Sequence, residues 1–130
     1  MLLPITLTMA GAAALINAWL AFRCSQVRGA RKISVGDGGD PLMIARMRAH
    51  ANFVEYTPFF LILTGLIEYA RGSTTWLWLV GILFLIGRIC HAFGMDRASP
   101  STLRMAGAGS AMVVTIGLAI YAILLPYGIG

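Results

Sequence analysis

Two long stretches without a formal side-chain charge, 22 residues from Met1 to Phe22 and 26 from Met105 to Gly130, constrain this chain more than any other feature. Coiled as helices that rise about 1.5 Å per residue, each is long enough to cross the roughly 30 Å hydrocarbon layer of a bilayer. A soluble fold would have to cover such segments with polar surface. With 58% hydrophobic residues, 12% charged ones and a mean hydropathy of +0.81, the chain has too few charges to do so. Lipid is the expected solvent.

The middle of the chain is less uniform. Ala49 to Ile67 carries His50, Asn52 and Glu55, and Gly72 to Gly87 offers only 16 uncharged residues. Two further spans fit, from about Pro41 to Tyr69 and from about Ser73 to Phe93. The expected architecture is all-α: one transmembrane domain over residues 1–130, an antiparallel up-and-down four-helix bundle with helices near 2–25, 41–70, 73–95 and 100–126. The first helix is expected to be retained and not cleaved as a signal peptide. It lacks a basic leading region, and Arg23 stands where small residues should precede a cleavage point.

Nine of the ten Lys and Arg residues fall around the first and third connections, and only Arg71 lies on the other side. By the positive-inside rule both termini are expected outside and both basic connections in the cytoplasm. The net charge of +5 is then a topology signal. Nucleic acid is not an expected partner, because these cations flank apolar spans and are not gathered on a soluble domain. In a reducing compartment Cys24 and Cys90 are expected to stay unpaired. Arg23, Arg31 and Lys32 read as topology determinants in contact with lipid headgroups.

The local signals place the helix ends. The glycine-rich Val35–Asp40 stretch closes on Asp40-Pro41, an N-cap followed by proline at the first helical position. Arg71-Gly72-Ser73 reads as a minimal turn, with a helix-ending glycine and a capping serine. Ser99-Pro100 repeats the cap-and-proline signal and puts Arg104 in the first turns of helix 4. There its charge adds to the positive end of the helix dipole, favouring a bound anion such as a thiolate, carboxylate or phosphate. Trp76, Trp78 and Tyr69 read as an interfacial aromatic belt.

Ionisable residues inside spans cost about 2.5 to 3.5 kcal/mol each on insertion scales and so tend to mark function. Arg48, Asn52 and Glu55 are spaced i, i+4, i+7 and share a helix face. Arg88, His91 and Met95 answer at i, i+3, i+7 from helix 3, and Arg88 lies at a depth where a structural ion pair with Glu55 is expected. Soluble chemistries find no foothold: there is no phosphate-binding glycine loop, paired-histidine metal motif, CxxC or serine elbow, and no metal is expected.

The run Arg48-Ala49-His50-Ala51-Asn52-Phe53-Val54-Glu55-Tyr56-Thr57-Pro58 resembles the RAxxNxxExxP signature of the MAPEG superfamily, membrane-associated proteins in eicosanoid and glutathione metabolism. The likeness extends to Gln26-Val27-Arg28, to Gly87-Arg88 with His91, and to Arg104, 16 residues beyond Arg88. It is nearest the microsomal prostaglandin E synthase and glutathione transferase branch. It implies a homotrimer with glutathione as co-substrate, bound between adjacent subunits near the cytoplasmic face. Arg28, Arg48, Asn52, Glu55 and His91 are then the implied glutathione contacts, and Arg104 the catalytic residue that stabilises the thiolate. Lowering a thiol pKa from about 8.5 to about 6.5 takes roughly 2.7 kcal/mol, within reach of one guanidinium plus a helix dipole.

The activity implied is that of a detoxifying glutathione transferase or peroxidase acting on hydrophobic electrophiles or lipid hydroperoxides from the bilayer, in a bacterial inner membrane. The chain departs from the family pattern at Met95, where relatives carry a tyrosine, and at Ala51, where the prostaglandin synthase branch has another arginine. A thioether cannot donate a hydrogen bond to a thiol. The alternative is therefore a non-catalytic, lipid-binding membrane scaffold of the same superfamily. A small multidrug transporter of similar size would rely on an acidic residue in its first span, and this span has none.

Overall fold

The computed structural model describes residues 2–97 and 101–128. They form four helices, α1 (Pro4–Arg31), α2 (Pro41–Arg71), α3 (Thr75–Met95) and α4 (Thr102–Leu124), followed by a 3-10 turn at Leu125–Tyr127. There is no strand among the described residues, and each of the four helices is long and apolar enough to cross a membrane.

The helix ends show where local chemistry decides. α2 begins at Pro41, with the Asp40 carboxylate accepting from the N–H groups of Leu42 and Met43 at 2.9 and 3.1 Å, and ends on Gly72. Three expectations are corrected. The first helix does not stop near residue 25 but continues to Arg31. Gln26 and Ala30 are good helix formers, and Arg28 and Arg31 favour the negative end of the dipole. The residue preceding α3 is Thr74, not Ser73, and its side chain makes no capping bond. Ser73 instead donates its hydroxyl to Glu68 at 2.8 Å. The fourth helix starts at Thr102, with Ser101 as the cap accepting from the Arg104 N–H at 3.2 Å. Ser99-Pro100 lies outside the described residues.

At about 1.5 Å per residue the 31-residue α2 is some 46 Å long, which exceeds the bilayer core. Pro58, inside it, has no N–H to give the Val54 carbonyl. Such gaps are tolerated in membrane helices because neighbouring groups re-satisfy the backbone.

The helices pack around Phe60 and Phe84, whose rings stack at 4.0 Å, with Ile5, Met9, Leu20 and Leu77 also buried. Leu15, Phe59, Val113 and Ile116 point outward, as a lipid-facing surface requires. Trp76 is not simply a belt residue, since it meets the Tyr121 ring edge-on at 5.1 Å.

α3 and α4 make the closest contact through small residues. A Cβ on Gly107 would lie 2.6 Å from the Gly87 carbonyl oxygen and 2.6 Å from the His91 Cβ, and one on Gly94 would meet the Arg104 backbone. In lipid, where apolar surface gains little from pairing with apolar surface, such close backbone approach drives helix association. It also fixes the rotation of α4 and hence where Arg104 points.

Candidate functional site

The two ends of the bundle hold their polar groups differently. At the end where α1 begins, the Glu68 carboxylate, 2% exposed, accepts the N–H of Ile5 at 2.9 Å, the N–H and hydroxyl of Thr6 at 2.8 Å each, and the Ser73 hydroxyl at 2.8 Å. It satisfies two of the orphan donors of α1 and places a negative charge at the positive end of that helix. Sequence reading passed over it, because the donors it serves are 62 and 63 residues away.

The opposite end is rich in arginine. Arg23, expected at the headgroups, is 5% exposed: it pairs with Asp96, reaches the Ala92 carbonyl at 3.4 Å, and lies over the Trp19 and Phe93 rings at 5.0 and 5.2 Å. The aromatic faces and one carboxylate together make burial of the guanidinium tolerable. Arg46 of α2 approaches the other Asp96 oxygen at 3.6 Å and donates to the Arg23 carbonyl at 3.0 Å. Asp96 thus joins α1, α2 and the end of α3. Sequence reading overlooked it, although an acid between Met95 and Arg97 at the end of a span was a usable signal.

The expected Glu55–Arg88 ion pair is not formed. Arg88, buried, donates to the Asn52 side chain and, at 2.6 Å, to the Gly107 carbonyl, with the Tyr56 ring 5.5 Å away. Glu55 has a side chain 60% exposed and its nearest cation is Arg48, at 3.9 Å. The reason is helical phase. Asn52 and Glu55 share a broad face, but the rotation of α2 points Asn52 inward and Glu55 to its edge, beyond the reach of Arg88.

A groove of about 550 Å³ is lined by the end of α1, the first turns of α2, the residues that close α3 and the start of α4. Its cationic lining is Arg31, Arg48, Arg97 and Arg104, its apolar lining includes Leu42, Ile44 and Met95, and Asp96 is the one carboxylate among its described lining residues. Arg31 is paired with Asp40, whose carboxyl that guanidinium holds below the usual carboxylate range, helped by the N–H groups of Met43 and Leu42. Arg104 donates to the Arg97 carbonyl at 3.3 Å, while its buried Nε has no hydrogen-bond partner among the described residues. The unsatisfied donor and four guanidiniums make the groove suited to an anion with an apolar portion.

Of the site residues expected from sequence, Arg48 and Arg104 line this groove together. His91, buried against Gly107, is within electrostatic reach of both and of Arg88. Asn52 is engaged by Arg88. Arg28 is not brought to these residues: it sits across α2 with Cys24 and His50 around a separate groove of about 420 Å³, donating to the Gly36 carbonyl at 2.8 Å.

Inner membrane protein YecN of Escherichia coli strain K12 is 33% identical to this chain over 82 residues, and YecN of Escherichia coli O6:H1 matches equally. Each match covers 62% of this chain and 62% of the relative, so the chain spans less than two thirds of the length of the curated relatives it matches. The model of the MAPEG family matches residues 6–124. With four helices able to span a membrane and a family match over nearly its whole length, this chain is an integral membrane protein that belongs to the MAPEG family.

Proposed function

We infer that the protein is a membrane-bound glutathione transferase with peroxidase capability, activating the glutathione thiolate for attack on hydrophobic electrophiles or lipid hydroperoxides. The observation that carries this reading is the convergence of Arg48 and Arg104 on one groove, with the Arg104 Nε buried and without a hydrogen-bond partner among the described residues. Glutathione offers two carboxylates, an ammonium group and a thiol. Arg48 and Arg97 suit the carboxylates, the exposed Glu55 suits the ammonium, and Arg104 with the start of α4 suits the sulfur once it is anionic.

In the transferase reaction the thiol proton passes to solvent and the thiolate attacks an electrophilic carbon. The S–C bond forms as the bond to a leaving halide breaks. With a hydroperoxide the thiolate attacks the distal oxygen, the O–O bond breaks, and the departing alkoxide takes a proton from solvent to leave as an alcohol. A second glutathione then converts the sulfenic acid to a disulfide and water. Arg104 stabilises the charge on sulfur until the new bond to sulfur forms, and Leu42, Ile44 and Met95 offer an apolar wall for the second substrate.

Arg28 lies across α2 from Arg48, so it joins the site only if an adjacent copy supplies it, in keeping with a homotrimer whose sites fall between subunits. The arginine-rich end then faces the cytoplasm, where glutathione is abundant, with both termini outside. Kinship with an inner membrane protein favours a bacterial inner membrane.

The test is turnover of purified protein in detergent with glutathione and a chloronitrobenzene or a lipid hydroperoxide. Turnover that depends on Arg104 is expected; a rate equal to that of Arg104→Ala would overturn the catalytic reading. Met95 in the groove wall favours a second reading, a non-catalytic lipid-binding scaffold. Calorimetry separates the two, since a scaffold need not bind glutathione.

A further inference from the structure

Asp96 has no role in the reading above, yet it stands at the structural centre of the arginine-rich end. It is the residue on which α3 terminates, its N–H directed to the Phe93 carbonyl at 3.3 Å. Its carboxylate holds Arg23 of α1 and faces Arg46 of α2. The turn it belongs to is also the support on which Arg104 rests. The Arg97 N–H bonds the Gly94 carbonyl at 3.3 Å, and the Arg97 carbonyl accepts from the Arg104 guanidinium at 3.3 Å. Gly94 packs against the Arg104 backbone, and its carbonyl receives the Ser101 hydroxyl at 3.4 Å.

We propose that Asp96 is the positioning residue for Arg104: by tying the Gly94–Arg97 turn to Arg23 and Arg46, it fixes the carbonyl that aims the Arg104 guanidinium into the groove. This rests on the thiolate-activating reading and adds to it a residue that need not touch the substrate. The geometry favours a positioning role. Both carboxylate oxygens are turned to arginines, Oδ2 to Arg23 and the buried Oδ1 to Arg46, so the side chain is placed as a tie between helices.

The sign of a pH shift separates positioning from charge alone. The ionisable groups facing Arg104 and Asp96 are Arg31 of α1, Arg48 of α2, His91 of α3 and Arg97, with Arg23 and Arg46 behind the carboxylate. Deleting a negative charge beside this set, with nothing else changed, would stabilise a thiolate and move the rate profile to lower pH. Loss of Arg104 aim does the opposite.

The experiment is the pH dependence of glutathione conjugation for the wild type, Asp96→Ala and Asp96→Asn, with Arg104→Ala and Glu68→Gln alongside. The expected result for Asp96→Ala is an apparent thiol pKa raised by about one unit toward the free value, hence an about tenfold lower rate on the acid side of the profile. Asp96→Asn, which keeps an oxygen for Arg23, should fall between it and the wild type, and serves if the alanine variant does not fold. Glu68→Gln should lower thermal stability and leave the pH profile in place. A profile shifted to lower pH, or one unmoved in both Asp96 variants, would overturn the positioning role. Absence of Arg104-dependent turnover in the wild type would instead sink the thiolate reading on which it rests.

Discussion

The two ends of the bundle solve the same electrostatic problem in opposite ways. Around Glu68 one buried carboxylate meets four hydrogen-bond donors, all within 2.9 Å. Around Arg104 there are more charges and fewer bonds: the Nε atoms of Arg46, Arg88 and Arg104 and the Oδ1 of Asp96 are buried without hydrogen-bond partners among the described residues. The Glu68 carboxylate is saturated and gains nothing from a ligand, so it is an anchor, and what is left unpartnered near it among the described residues is the neutral hydroxyls of Thr64 and Thr74. An unsaturated charged cluster carries a desolvation cost that a ligand can relieve, so the arginine-rich end is where binding is expected.

That contrast breaks most readily at Arg104. Arg104→Ala is expected to lower kcat/KM for glutathione conjugation by about 10²- to 10³-fold, the cost of removing one preorganised donor to developing negative charge. Thermal stability should barely move, because the side chain makes one long bond to a carbonyl. Steady-state kinetics and thermal unfolding in the same detergent check both halves. A large stability loss would mean that the two ends are not different in kind.

The complementary change is Glu68→Ala. It strands the N–H groups of Ile5 and Thr6 and should cost about 3 kcal/mol, the scale of hydrogen bonds to a charged group plus a lost cap. Turnover per folded molecule should be unaltered. Lost turnover in the remaining folded protein would show that the far end does more than anchor.

Gly107→Ala probes what connects the ends. Its new methyl meets the Gly87 carbonyl and the His91 Cβ, neither the tip of a flexible side chain, so α3 and α4 must separate. The expected cost is about 1 to 3 kcal/mol, with weaker glutathione binding as His91 and Arg104 move apart. Unchanged binding by calorimetry would show that the site does not depend on this crossing.

The smallest effect belongs to Asp40→Ala. The Asp40 carboxyl is held low first by Arg31 and then by backbone N–H groups at the start of α2. Its stabilisation is complete above the unfolded-state value of about pH 4, and is lost as pH falls through the lower folded value. The variant should therefore be slightly less stable at neutral pH and converge on the wild type in acid. Parallel melting curves recorded against pH test this, and a deficit that persists in acid would mean the charge is not what stabilises.

The parts of the candidate site legible in the sequence were those set along one helix. Arg48, Asn52 and Glu55 share a broad face of α2, and Arg104 sits in the first turn of α4. The errors came between helices. Arg88 binds Asn52 and not Glu55, although both lie at accessible depths, because a difference of one turn is settled by how α2 is rotated. Arg23, read as a headgroup contact, is buried because Trp19, Phe93 and Asp96 happen to surround it.

The amino-acid sequence by itself determined that this is a membrane protein, where its four spans lie, and that α2 starts at Pro41 and ends on Gly72. Hydropathy and capping act within one segment and need no knowledge of its neighbours. Only the tertiary structure decided which charges meet: Glu68 with the start of α1, Asp96 with Arg23 and Arg46, Arg48 with Arg104 across one groove. Those pairings depend on the rotation and depth of each helix. Close backbone approach at Gly87, Gly94 and Gly107 helps to set both, and residues with no side chain reveal no partner until the helices are packed.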